Sequence, residues 1–166
     1  MKQMPLALSL VVLIACLVAG CGKSDEMKKI EAALNTEVME KHDVIMKLVP
    51  DLDDLTTRIS AVMATHDSLV KKHPALAAGH TTADLVAAQE KITAAKAAMD
   101  TWMRGFKPFD PDGKHDGVLA GLNVQKDELI AMEKQFAEAR QAATEAITAH
   151  ETAASELIAK AGKKKH

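Results

Sequence analysis

Leu34-Asn35-Thr36-Glu37-Val38-Met39-Glu40-Lys41-His42-Asp43-Val44-Ile45-Met46-Lys47-Leu48-Val49-Pro50-Asp51-Leu52 repeats its apolar side chains at alternating intervals of three and four. That spacing keeps one face of a helix apolar. The stripe runs on past the quoted stretch, through Leu34, Val38, Lys41, Ile45, Leu48, Leu52, Leu55, Ile59, Val62, His66 and Leu69. Upstream, Ser24 can cap the helix, with Asp25 and Glu26 where the dipole favours negative charge. The stripe keeps its phase through Pro50, although an internal proline removes a hydrogen bond and kinks a helix. Val49 would cap a new helix poorly. The pattern predicts one kinked helix to about His73; the alternative is a break at Pro50 that folds the chain back into four helices.

Two further stripes follow. Pro74 to His80 is a connection, Thr81 or Thr82 caps the next helix, and Asp84 sits in its first turn. That helix places Leu85, Ala88, Ile92, Ala95, Met99, Trp102 and Phe106 on one face and ends at Gly105 and Pro108. Phe109 to Gly121 is rich in Asp, Gly and Pro and reads as a loop. Asn123, or Asp116 further back, would cap the last helix, whose stripe is Leu129, Met132, Phe136, Ala139, Ala143, Ala146, His150, Ala153 and Leu157, with Gly162 closing it. At 1.5 Å per residue the three helices would run ~74, ~35 and ~55 Å. The expected fold is all-α: an elongated up-and-down bundle of three long helices over residues 25–162, with 163–166 as a basic tail.

Composition supports this reading. Aromatic residues are 2% of the chain, with no tyrosine and one tryptophan, while alanine, leucine, methionine and charged residues abound, as in long helices. The 21 basic and 23 acidic residues nearly cancel. Nucleic acid is therefore not an expected partner, since it demands a strongly basic face. Lys163-Lys164-Lys165 reads as a solvated tail rather than a binding patch.

Ahead of the first helix, Lys2 and the uncharged run Leu6 to Val18 form the charged and apolar regions of a secretory signal, the run being shorter than the ~20 residues of a membrane span. Small residues Ala19 and Gly20 then precede Cys21. Val18-Ala19-Gly20-Cys21 resembles the lipobox of bacterial lipoproteins. The resemblance implies that residues 1–20 are a signal peptide, that Cys21 carries a diacylglycerol and usually a third acyl chain, and that 21–24 form a short tether. Two or more chains anchor stably where one does not. Gly22 after the cysteine implies the outer membrane, on its periplasmic or surface face, and Lys23-Ser24-Asp25-Glu26 resembles an acidic surface-export tag. Cys16 would leave with the signal, so the mature chain of about 145 residues, enough for one domain, would have no disulfide, paired-cysteine metal site or cysteine nucleophile.

Within the helices, Met39, His42 and Met46 stand at i, i+3 and i+7 beside the main stripe. Thioether and imidazole together suit Cu(I), and Met with His is an axial pair for haem. The competing reading is a broad apolar face in which methionine fills gaps. His66 and His150 also fall on stripes, and would share one level if the first and last helices ran parallel with a suitable offset. The acids of Asp110-Pro111-Asp112-Gly113-Lys114-His115-Asp116 fail the calcium-loop pattern, because its sixth and twelfth positions hold His115 and Gly121 rather than Gly and Glu. No phosphate loop, nucleophile elbow or His-Glu-x-x-His helix occurs. An enzyme is not expected, nor a cofactor beyond the covalent lipid.

Glu37-Val38-Met39, His42-Asp43 and Met46, together with Met99, Trp102-Met103 and Phe106, resemble a group of small helical bacterial lipoproteins labelled "viral A-type inclusion protein". That resemblance implies an all-helical fold with Trp102 near the first helix, and no activity. The expected role is a structural or protein-interaction one in the cell envelope, through an envelope protein or self-association, with a metal- or haem-binding bundle as the alternative.

Overall fold

A computed structural model describes residues 24–72, 74 and 81–163. Four helical segments make up the described chain: α1 (Asp25–Met46), α2 (Val49–Lys72), α3 (Ala83–Gly105) and α4 (His115–Lys163). No strand occurs among the described residues, and α1 and α2 are one helix bent by 24°. The expected three-helix bundle is the observed one. Ser24 caps α1, its hydroxyl accepting from the Met27 N–H at 3.2 Å.

The bend lies just before Pro50. Without an N–H, Pro50 cannot bond the carbonyl of Met46, and its ring crowds that carbonyl. The chain answers with one tight turn, in which the Leu48 N–H bonds the Ile45 carbonyl at 2.9 Å. The Leu52 N–H then bonds the Leu48 carbonyl at 3.2 Å, and the α-helix resumes. Because Pro50 sits in the first turn of the new segment, where N–H groups lack helical partners anyway, it costs little there.

The third stripe begins earlier than its sequence suggests. Residues 115–121 are helix rather than loop, so neither Asn123 nor Asp116 is a cap. Asn123 lies two turns in, its amide donating to the Leu119 carbonyl at 2.9 Å. Asp116 sits in the first turn as a charge facing the dipole. Two glycines, Gly117 and Gly121, make this turn look like loop, but Val118 packs on the core and Leu122 is buried within it. Helix α4 is therefore 49 residues long, or ~74 Å, which matches α1 and α2 together. Gly162 does not close it, for the helix runs to Lys163.

Every position of the second stripe from Leu85 to Trp102 is buried, as are Val38, Ile45, Leu52, Leu55 and Ile59 of the first and Leu129 to Ala146 of the third. The alanines Ala139 and Ala143 are fully enclosed, which lets the α4 axis approach its neighbours closely. Ile147, beside the stripe, is also buried.

Candidate functional site

Cross-helix polar pairs fix how the helices align. Glu37 meets Lys126 at 2.8 Å, Lys41 meets Glu133 at 3.2 Å and Arg58 meets Glu151 at 3.2 Å. Residue numbers rise together on both sides, so the first and last helices are parallel. Asp53 pairs with Lys96 and Asp84 with His150, so α3 runs antiparallel to both. Exposed pairs of this kind contribute little energy each; their value here is as markers of register. Helix α3 spans only the levels from His42, which it meets through Trp102, to His150, which it meets through Asp84. Beyond either end, two of the described helices face each other.

At the distal end the offset brings His66 and His150 together. Their ring centroids are 5.9 Å apart with planes at 76°. The condition set by the sequence, parallel first and last helices in suitable register, is met. The His150 Nε2–H donates to Asp84 Oδ1 at 2.8 Å, and its side chain is only 10% exposed. Asp84 also accepts from the Leu85 N–H at 3.0 Å. Thr82 precedes α3 without a side-chain cap bond, so Asp84 takes over the role of satisfying the helix start. Partial desolvation raises the Asp84 carboxyl, but the hydrogen bond from His150, the Leu85 N–H and the imidazole's charge outweigh it and hold the group below its ordinary value. His66 has Asp67 Oδ1 at 3.7 Å from its Nδ1. Both imidazoles line an open cleft of about 370 Å³ between α2 and α4, walled by Val62, Leu69, Ala154 and Leu157.

Met39, His42 and Met46 have different surroundings. Met39 is exposed. His42 stacks on Trp102 with centroids 5.6 Å apart, and its Nδ1 lies 3.0 Å from Asp43 Oδ1. Met46 packs against the core and lines a shallow groove with Met99 and Met103 on α3. Trp102 in turn packs on Phe106 at 5.2 Å, so the tryptophan joins α3 to the first helix through one continuous stack. Among the described residues no group of three or more His, Cys, Asp or Glu is placed to hold a metal ion. Cys21 lies outside the described residues.

Sequence reasoning missed Glu31. It is fully buried and accepts from the His115 Nδ1–H at 2.8 Å, at the start of α4. Helix N-termini favour a carboxylate, and His115 adds a directed donor. The signal was present: stepping back three residues from Leu34 along the stripe lands on Glu31. The Asp110 to Gly113 segment is a turn, in which Asp110 Oδ1 accepts from the Asp112 N–H at 3.0 Å, and no calcium pattern emerges.

No protein-family model matches this chain, and no curated protein or solved structure is detectably similar to it.

Proposed function

We propose that the protein is an acyl-anchored cell-envelope lipoprotein with a non-enzymatic structural or protein-interaction role, held at the outer membrane through Cys21. The observation that carries this reading is the placement of a capped helix start at Ser24 directly after the lipobox-like Val18-Ala19-Gly20-Cys21. Chain geometry limits the span from Cys21 to Ser24 to ~11 Å, so the two-helix end of the bundle stands close to the membrane. No described helix is long and apolar enough to cross a membrane; in this reading the chain is held through acyl groups on Cys21. Exposed apolar residues on the long helices, among them Ile30, Val44, Val124 and Ile130, offer contact points for an envelope partner or a second copy. The alternative, a metal- or haem-binding bundle built on Met39, His42 and Met46, draws no support from side chains that go to three different surroundings.

Intact mass of the chain extracted from membranes tests the proposal. The expected species lacks residues 1–20 and carries two or three acyl chains on Cys21, and Cys21→Ala releases it into the soluble fraction. An unmodified, soluble wild-type chain would end it. Crosslinking in intact cells, followed by identification of the captured chains, separates an envelope partner from self-association.

A further inference from the structure

We propose that the distal end of the bundle, where α2 and α4 finish at a common level, is a cationic docking tip for an extended carboxylate-bearing polymer of the cell envelope. The choice of an envelope polymer rests on the anchored reading above; the charge of the tip does not.

Its basis is the parallel course of α2 and α4. Counted from the Arg58–Glu151 pair, α2 continues 14 residues to Lys72 and α4 continues 12 to Lys163, so the two helices finish within ~3 Å of the same height. Counted from the His66–His150 contact the difference is ~10 Å, or about two turns. Lys71 and Lys72, both exposed in the last turn of α2, therefore come to the same end as Lys160 and Lys163 of α4. Lys164 and Lys165 follow directly in the chain. In the sequence alone the last three lysines are a solvated tail; the fold brings Lys71, Lys72 and Lys160 to join them.

Charge segregation carries the second part of the argument. Residues 68–83, from beyond Asp67 to the start of α3, and residues 157–166, beyond Glu156, contain those six lysines and no Asp or Glu. The nearest acid on α4 is Glu156, one turn back, with its carboxylate 3.9 Å from Lys160 Nζ. Against a formal net charge of −2 for the whole chain, the tip stands at +6 and everything else at −8. Lysines in a last turn complement the helix dipole, but that does not account for the absence of acids across both stretches. A field of one sign concentrated at one end draws an oppositely charged partner to that end. The kind of charge selects the partner. All six are lysine, a flexible point charge that holds an anion without the planar two-point geometry that arginine supplies, and neither stretch contains a Phe, Tyr or Trp on which a base could stack. Single carboxylates spaced along a polymer fit such a tip better than nucleotides do. Helices α1 and α2 hold it ~70 Å along the bundle from Ser24, so under the anchored reading it faces away from the membrane that carries the acyl chains.

The test is cosedimentation of the Cys21→Ala chain with purified peptidoglycan, repeated from ~0.1 to ~1 M salt, over which the screening length falls from ~10 to ~3 Å. The chain should pellet with the polymer at the low end and stay in solution at the high end. Lys71→Gln with Lys72→Gln should weaken binding, as should Lys160→Gln with Lys163→Gln, Lys164→Gln and Lys165→Gln. All the substitutions together should weaken it ~10-fold or more at the lower salt, with the helical circular dichroism of the parent retained. Lys28→Gln with Lys29→Gln, at the opposite end, should bind as the parent does. Because this chain lacks the acylated cysteine, its binding is read separately from the intact mass that tests the anchor, and either result can fail while the other holds. Absence of binding, binding unchanged by the combined substitutions, or binding lost in full with the α4 lysines while Lys71→Gln and Lys72→Gln have no effect, overturns the tip. Tighter binding to phosphatidylglycerol vesicles or to duplex DNA than to peptidoglycan, at equal anionic charge, assigns another partner and overturns the proposal.

Discussion

Gly117 and Gly121 should each become more stabilising when replaced by alanine, and Gly113 less. The first two lie in the opening turns of α4, with backbone angles that alanine adopts freely, since no described glycine has positive φ. A methyl group at either position meets nothing within 4 Å. Replacing glycine by alanine at a compatible site stabilises by ~0.4–1 kcal/mol, chiefly by narrowing the unfolded ensemble. Together the two changes are worth about 1.5 kcal/mol, or roughly 5 °C at the sensitivity expected for a domain of this size. At Gly113 the same methyl would stand 2.9 Å from Val118 Cγ2 and 3.0 Å from Asp110 Oδ2. Val118 is packed on the core and cannot yield cheaply, so Gly113→Ala should cost ~1–3 kcal/mol. Thermal unfolding of the Cys21→Ala chain, followed by circular dichroism, measures all three. A double variant Gly117→Ala, Gly121→Ala that melts at or below the parent would refute the helical assignment of residues 115–121, and with it the early start of α4.

Other substitutions probe the remaining links. Glu31→Ala leaves the half-buried His115 without its acceptor and should cost ~1–3 kcal/mol in urea unfolding; a loss well under ~1 kcal/mol would mean that water replaces the carboxylate freely. Phe136→Ala should cost ~3–5 kcal/mol by opening a void at a fully buried site, and Ala143→Leu ~1–3 kcal/mol by forcing α4 away from its neighbours; near-neutral values in denaturant titrations would show a core less closely packed than described. Asp84 gives a pH test. Its folded pKa lies below its unfolded one, so its contribution is complete above the ordinary carboxylate range and disappears as pH falls through the folded value. The stability gap between parent and Asp84→Asn, measured in urea from pH 7 down to pH 3, should therefore be widest near neutrality and close in acid; a gap that grows in acid would reverse the sign.

Much of the fold is legible because helical burial has a period. Leu85 through Trp102 could be read directly, since each buried position follows the last by three or four residues. Pro50 left open whether the chain bends or folds back, because a local rule gives the cost of the kink but not the length of the partner that spans it. That partner is α4, and its length was misjudged through Gly117 and Gly121. Glycine costs about 1 kcal/mol in a helix, yet burial of Leu122 and packing of Val118 outweigh it, and burial of that kind depends on what lies opposite. Glu31 escaped notice for a related reason. An acid on an apolar stripe looks like the stripe's end until a histidine far along the chain is known to face it.

The candidate sites follow from where α3 is missing. Three helices of equal length would enclose the stripes of α1, α2 and α4 along their whole course, and apolar side chains would suffice at every level. Helix α3 has 23 residues against 49 in α4, so it covers the middle and leaves two ends in which two helices face each other alone. A pair of helices cannot surround a stripe, and water reaches the edges of the contact. At those levels a polar side chain that bonds across the gap is tolerated, and its direction holds the register that packing no longer fixes. Glu31 with His115 fills that role near the proposed anchor; at the far end His150 bonds Asp84 where α3 begins, with the His66 ring against it. The first pair is closed, a carboxylate already answered by its donor. The second sets two imidazoles edge to face beside an open cleft, with Asp84 holding His150 at the start of α3.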